Sequence, residues 1–464
     1  VEVTATLAEE LDGKLEADLK PDGRLGLPKR YLEGLHDEPY MPRGAKAEFK
    51  HLAKRAITNW LPLVPDTFAK DLFVEGYRAP KAPEDDPAWK RWQENGLDAR
   101  QTIAHRGALE YGTSYVLVLK AKDRPDSAFI RPLSPLRSAA WYADEDDEFP
   151  QVAIRRMGKT PDGKGRLLEV YEGGRMIPFT IRDGVYVAGE EQLTGFDHVP
   201  FVRFRDRLDG ASVGLVRPLI PLQDRVNETV FSTLIAMQYA SFRQRWATGL
   251  SIPVDEETGE PLETFEAAVN RLWVSDSHEA RFGDFAQTEL SGHHEAYKST
   301  VRTLAALGQI SPDVLMGELI NVSGDALTNM QHSTRRKRSE LETLFGESWE
   351  SVFRLAAIAS GSTIPGDEAQ VRWRDAGGEN LAATVDALGK MAQMLGVPQE
   401  ALWERVPGVT DSDLKRWREL LKPDALDSLT AEIERQAAAA EATLAAARQT
   451  TPNAPPAEAV PAAA

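Results

Sequence analysis

Between Pro221 and Gly249 the chain contains neither glycine nor proline. Across that stretch Leu222, Val226, Val230, Leu234 and Met237 recur at the spacing of one helix face. A helix of about 25 residues at 1.5 Å per residue is roughly 38 Å long, about twice the usual globular length. Apolar side chains also lie around much of its circumference, at Phe231, Leu234, Ile235, Met237, Tyr239 and Phe242. So long a helix needs neighbours along its whole length, which predicts bundling or oligomerisation. A second apolar face suits a neighbouring copy better than water.

A second long helical stretch runs from Asp325 to Ser360, interrupted only by Gly346. Between the two lie a mixed insert over 248–291, with strand-like Arg271–Ser275, and a helix from His293 to Leu307. Ser311-Pro312 opens a further segment. Gly317 to Gly324 has few packing residues and a glycine at each end, so it reads as a loop. Upstream, Leu7, Leu11, Leu15 and Leu19 mark a helix face that Pro21-Asp22-Gly23 ends. Helices are predicted over Ala45–Trp60, around Phe68 and Leu72, and over Trp89–Leu109, with a polar, proline-rich loop at 81–87. Ser114–Lys120 reads as a strand. Residues 120–210 read as an antiparallel meander: Val152–Arg156, Leu167–Tyr171, Met176–Ile181 and Val185–Ala188 are separated by Pro161-Asp162-Gly163, Gly173-Gly174 and Asp183-Gly184. Gln370–Arg374 reads as a short strand and roughly 380–422 as helices. The Ala- and Pro-rich end cannot bury a core and is expected to be disordered. No internal repeat is present.

The class is therefore α+β and mainly helical. At 464 residues and 42% hydrophobic content there is material for two or three cores. The chain has no cysteine, which excludes disulfides, thiolate zinc sites and cysteine nucleophiles. No run of 18 apolar residues exists, so no membrane span is expected. The first residues lack the basic start and apolar centre of a signal peptide. The chain opens on Val1 rather than Met, as a processed or truncated chain does. The formal net charge is −17, the opposite of the basic footprint of a protein that grips duplex DNA.

Catalytic motifs fail one by one. Gly158-Lys159-Thr160 has Ala153 where a phosphate-binding loop needs glycine, and it lies between strands, so it reads as a turn. His293-His294-Glu295 places adjacent side chains about 100° apart on a helix, unsuited to sharing one ion. Asp144-Glu145-Asp146-Asp147 reads as a solvated turn, with a divalent cation site as the alternative. Arg335-Arg336-Lys337-Arg338 spreads over the whole helix circumference. It reads as solvated or as paired between subunits, with phosphate contact as the alternative. No cofactor is implied.

Several segments together resemble the portal proteins of tailed phages, in the SPP1-like group and close to those of actinobacterial siphophages. They are Tyr31-Leu32-Glu33-Gly34, Asn59-Trp60-Leu61-Pro62-Leu63-Val64 through Val74-Glu75-Gly76-Tyr77-Arg78, Trp89 through Leu97-Asp98, and His105-Arg106 through Val116. Gln223-Asp224-Arg225-Val226-Asn227, Met237 through Arg245, Ile310-Ser311-Pro312 and Asn321-Val322-Ser323-Gly324 continue the series. No single segment decides; their number and order, over roughly residues 25–425, make the resemblance specific.

The resemblance implies a ring, usually of about twelve subunits, at one capsid vertex. It implies a wing at 1–212, a stem of two helices at 213–247 and 293–315, a small α/β clip at 248–292, a tunnel loop at 316–324, a long wing helix and return strand at 325–375, and a helical crown at 376–425. Residues 426–464 form the tail. In the tunnel loop Glu318 and Asn321 would face the lumen and Gly317 and Gly324 would act as hinges; an ordinary turn with Ser323 capping the next helix is the alternative. Phe231, Leu234, Met237, Tyr239 and Phe242 would pack the stem. The implied partners are further copies of the chain, duplex DNA passing without sequence readout, terminase, a head–tail adaptor, and the major capsid and scaffold proteins. The implied place is the virion, after assembly in the host cytoplasm, and the chain itself would be no enzyme. A metal-dependent nuclease of phage DNA processing, or a non-portal minor capsid or connector protein, are the alternatives.

Overall fold

A computed structural model describes residues 4–41, 47–78, 87–124, 126–241, 245–249, 279, 281–284, 290–317, 332–364, 366, 368–374, 381–403, 405–406, 409 and 411–421. The chain divides into two compact units, Val1–Trp373 and Arg374–Ala464.

The first unit opens with α1 (Ala5–Leu19), whose N-terminus Thr4 caps by accepting a bond from the Leu7 amide at 3.2 Å. After α2 (Gly26–Leu32), α3 (Ala47–Arg55) and α4 (Leu63–Asp71) come β1 (Val74–Arg78), α5 (Ala88–Glu94) and α6 (Leu97–Tyr111). The strands β2 (Thr113–Lys120), β3 (Ala128–Leu133), β4 (Ser138–Trp141), β5 (Val152–Lys159), β6 (Arg166–Glu172), β7 (Arg175–Arg182), β8 (Val185–Ala188), β9 (Gln192–Leu193) and β10 (Phe201–Arg205) follow. A 3-10 turn at Arg217–Leu219 leads into α7 (Ile220–Ser241). The unit ends with β11 (Arg245–Thr248), β12 (Arg281–Asp284), α8 (Ser291–Leu307), α9 (Pro312–Met316), α10 (His332–Ser360) and β13 (Gln370–Trp373).

The β region is two sheets rather than one meander. β4 to β8 pair in sequence, with β9 also on β7, as the turn signals predict. β10 instead returns to β2, giving the order β10-β2-β3, all antiparallel. The reason lies in β2, which is apolar on both faces. Val116 and Val118 face the helical core, while Tyr115 and Leu117 pack with Ala153 and Tyr171 of the larger sheet and with Phe201 of β10. A strand covered on both sides belongs at the centre of a layered structure, not at the rim of a meander. The layers run α6 and α10, the three-stranded sheet, the larger sheet, then α1, whose Leu11 and Leu15 pack on Ile154, Leu168, Val170 and Phe179. Gly112, at φ 88°, makes the turn from α6 into β2; a Cβ there would meet the Ser212 backbone at 2.5 Å.

The helical core centres on α10. Phe345, Trp349 and Phe353 are fully buried against Trp92 and Phe204. Trp349 Nε1 donates to His105 Nε2 at 2.8 Å, which puts the ring proton on Nδ1, donating to the Leu72 carbonyl at 3.1 Å. Burial pushes this imidazole down to about 3.

Several predicted boundaries move. The helix over Trp89–Leu109 is two helices, α5 and α6. Asn95 pins the break to β3, donating to Ala128 O at 2.9 Å and accepting from Ile130 N at 2.9 Å. The first stem helix does not reach 247: α7 stops at Ser241, and residues 245–248 are β11, antiparallel to β12. A stretch free of glycine and proline permits a helix without requiring one, and a facing strand decides otherwise. The second, 293–315, is α8 and α9, turned at Gln309, whose φ is 55°. The long helix predicted from Asp325 is described from His332 and runs unbroken through Gly346; 325–331 and the strand-like Arg271–Ser275 fall outside the described residues. Among the described residues no helix is long and apolar enough to cross a membrane.

The second unit contains α11 (Leu381–Leu395), α12 (Gln399–Trp403) and α13 (Asp411–Leu421). Trp403 and Trp417, 5.8 Å apart and edge to face, join α12 to α13. Residues 422–464 fall outside the described residues.

Candidate functional site

The first two turns of α7 carry glutamine and asparagine on the face that Leu222 and Val226 otherwise make apolar. Gln223 and Asn227 are buried, four residues apart, and so share that face. A buried carboxamide is costly unless each donor and acceptor is met. Gln223 meets this by bridging an extended segment that follows α3: its Nε2 donates to Thr58 O at 2.6 Å and its Oε1 accepts from Trp60 N at 2.9 Å. That use of the backbone explains why α3 stops at Arg55 rather than continuing to Trp60. Gln223 Nε2 also donates to Asn227 Oδ1 at 3.0 Å, which accepts from Thr58 N at 3.1 Å as well. With Oδ1 so occupied, Asn227 Nδ2 donates to His36 Nδ1 at 2.9 Å. His36 therefore carries its proton on Nε2 and donates to Tyr31 O at 3.0 Å.

Charged groups surround this chain of amides. The Tyr31 hydroxyl, on a ring stacked 4.7 Å from His36, lies 2.8 Å from Asp224 Oδ1 and 3.1 Å from Asp37 Oδ2. Arg30 holds Asp37 at 2.6 Å, which keeps that carboxyl below its ordinary range. Burial lowers the His36 imidazole and raises the Asp224 carboxyl. Asn59 Nδ2 donates to Tyr31 O at 3.0 Å and Leu32 O at 3.2 Å. Three segments far apart in sequence, around Tyr31, Asn59 and Gln223, thus meet at one joint. His36 was not among the residues that sequence singled out; the legible signal was the polar pair on an apolar helix face.

Above the joint α7 is held by apolar contact. Phe231 is buried with Ala53 and Ala56, and Leu234 and Ile235 pack at the same place, against Phe49 and Leu52 of α3. Part of the apolar surface expected to await a neighbouring copy is therefore met by α3 of the same chain. Met237 is 48% exposed. The Tyr239 side chain and Phe242 fall outside the described residues.

Of the loop predicted over 316–324, Met316 instead ends α9 and Gly317 closes that helix at φ 63°, the left-handed setting common at a helix C-terminus. Glu318, Asn321, Ser323 and Gly324 fall outside the described residues. The basic run divides. Lys337 pairs with Glu340 at 3.1 Å and Arg338 with Glu342 at 2.8 Å on the same helix, while Arg335 and Arg336 stand exposed.

The acidic run is a turn, Asp147 N bonding Asp144 O at 3.3 Å. Arg203 and Arg205 clasp it by donating to Glu145 O at 2.6 and 3.2 Å. Gly158 and Lys159 end strand β5 rather than forming the expected turn, which lies just beyond them, where Thr160 bonds Asp162 and Gly165. Among the described residues no three His, Asp or Glu side chains gather as a metal site.

The family model described as "Phage portal protein, SPP1 Gp6-like" matches residues 23–436. No curated protein matches the chain. One solved structure similar to it is described as "Virion of native gene transfer agent (GTA) particle", at 11% identity and a TM-score of 0.44, over 82% of this chain and 99% of that one. Since the family model covers most of the sequence, including every segment that builds the joint, this chain belongs to the SPP1 Gp6-like family of phage portal proteins.

Proposed function

We propose that the chain is one subunit of a closed ring of about twelve copies at one capsid vertex, through which duplex DNA enters during packaging and leaves on ejection. The family match over 23–436 carries the reading. In it the ring hydrolyses nothing: a separate terminase supplies the work and docks at the clip, 248–292, and a head–tail adaptor later takes the same surface. The wing (1–212 with 325–375) meets capsid and scaffold proteins, and 376–425 forms the crown. The paired helices α7 and α8, with β11 and β12 between them, suit a stem that ends in a clip. The net charge of −17 suits a channel in which DNA must slide rather than be held.

The tunnel loop at 316–324 narrows the channel, with Glu318 and Asn321 toward the lumen. Arg335 and Arg336, just beyond it in sequence, are left for phosphate or for a neighbouring subunit. Native mass and negative-stain imaging test the ring. Twelve copies of 51.3 kDa give about 0.6 MDa, with an axial hole wide enough for a duplex. A monomer that cuts DNA with a divalent metal would end the proposal. Deleting 318–322 is expected to spare ring assembly and impair packaging; a deletion phage that packages normally refutes the role of the loop.

A further inference from the structure

The Tyr31 hydroxyl carries one proton and meets two carboxylates, Asp224 Oδ1 at 2.8 Å and Asp37 Oδ2 at 3.1 Å. Both are hydrogen-bond distances. Whichever carboxylate takes the phenol proton, the other faces a lone pair of the same oxygen. The two acids are not alike. Asp37 is 65% exposed and held by Arg30 at 2.6 Å, so it stays ionised. Asp224 is half-buried, and among the described residues its side chain bonds Tyr31 and pairs with no cation.

The surroundings leave Asp224 short of positive charge. The charged and titratable groups around it are Arg30, Tyr31, His36 and Asp37 on α2 and the segment that follows, and Glu228 on α7. Arg30 is taken by Asp37. His36 accepts from Asn227 at Nδ1, so its ring is neutral. Asp37 and Glu228 bear on Asp224 with its own sign of charge. Asp12, which also bonds a tyrosine hydroxyl, shows the contrast: Arg156 and Arg166 both pair with it. What Asp224 lacks in cations, one proton from solution can supply.

We propose that Asp224 takes up that proton and donates it to Tyr31 Oη, which in turn donates to Asp37, so that the base of α7 is latched to α2 and its following segment by a bound proton and loosens as pH rises. Every oxygen of the relay then has its hydrogen bond, the last of them strengthened by the Asp37 charge. Burial and the neighbouring carboxylates raise the Asp224 carboxyl from 3.8 in the closed joint. The latch therefore contributes fully below pH 3.8, where an opened joint is protonated too, and is lost as pH rises through the closed joint's value. It acts within one subunit and does not depend on the ring.

Infrared spectroscopy of the full chain reads the carbonyl stretch of a protonated carboxyl, which carboxylates lack. The difference between the unaltered protein and Asp224→Asn, followed from about pH 4 to about pH 8, is expected to contain that stretch and to lose it with a midpoint above 3.8. Asp37→Asn removes the competing charge and, measured against the double variant, should lower the midpoint by about one unit. Burial alone would leave the midpoint in place. A midpoint at 3.8, or one that Asp37→Asn does not move, overturns the proposal. Should Asp224→Asn fail to fold, the unaltered protein minus Asp37→Asn decides alone, and a flat difference above about pH 5, where Asp37 itself is ionised, overturns it. Amide exchange reads the latch. Asp224→Asn removes the titrating group, so opening at Gln223–Asn227 in the unaltered protein should rise against that variant about tenfold per pH unit between 3.8 and the infrared midpoint. A ratio constant with pH overturns the latch.

Discussion

Asp12 is the buried charge that fastens α1 to the larger sheet, and its removal should release that helix without unfolding the rest. Its side chain is 2% exposed and meets three partners: Arg156 Nε at 2.6 Å, Arg166 Nη2 at 3.0 Å and the Tyr186 hydroxyl at 2.7 Å. Arg156 also donates to the Asp12 carbonyl at 3.0 Å. Breaking a buried ion pair from one side costs about 3–5 kcal/mol, because the remaining charge stays desolvated. Arg156 keeps Glu16 at 2.9 Å, but Glu16 is 62% exposed, so that pair compensates little. Taking about 3 kcal/mol, the opening of α1 in Asp12→Ala should be favoured by about a hundredfold. The chain has two units and need not unfold in one step, so a single melting temperature is a poor measure. Hydrogen exchange along α1 is the right one. Asp12→Ala should speed exchange at Leu11 and Leu15 by about a hundredfold, while Glu16→Ala should change it by less than about fivefold. Equal effects from the two variants, or no acceleration in Asp12→Ala, would refute the reasoning.

Two further outcomes follow from buried groups in the helical layer. Glu110, desolvated on α6 near Asp66 and only partly offset by Arg106 at 3.8 Å, has its carboxyl pushed up from 4.5 to about 7. A raised carboxyl favours the folded state while protonated, so its contribution is complete below pH 4.5 and is lost as pH rises through about 7. Glu110→Gln should therefore match the unaltered protein near pH 4 and exceed it above about pH 7 by at most about 3 kcal/mol, read by urea unfolding at a series of pH values; a constant difference across that range would count against it. Trp349→Phe keeps an aromatic ring but leaves His105 Nε2 without its donor, at a cost of about 2–4 kcal/mol. Because His105 is held neutral down to about 3, its folded form loses ground as pH falls below 6.5. The lost bond lowers stability at every pH and so should raise the pH of acid unfolding, while room for a proton beside Nε2 should make stability fall less steeply below pH 6.5, both read by near-ultraviolet circular dichroism; an unchanged midpoint with an unchanged slope would show that Trp349 does not protect the ring.

Periodicity made much of the fold legible. The leucines of α1, the strand Ser114–Lys120, the turn signals between β5 and β8 and the two long helices all follow from which side chains must leave water. It failed where a partner from elsewhere in the chain decides. Arg245–Thr248 is a strand because Arg281–Asp284 lies opposite it, and Thr58–Trp60 is extended because Gln223 takes its backbone groups. Of the residues predicted for the tunnel loop and the stem, Gly317 caps α9 in a left-handed conformation, and Phe231 is already covered by α3.

By itself, the order of residues determined the class, the absence of any cysteine chemistry, the long helices around an insert and membership of the portal family. These depend on local spacing, on composition and on segments read one at a time. Only the tertiary structure decided that β10 returns to β2, that Asp12 joins α1 to the larger sheet, and that Tyr31, His36, Asn59, Gln223 and Asn227 share one directed network. A buried donor must find its acceptor in space. Residues separated by 191 positions, as His36 and Asn227 are, carry no local trace of that pairing.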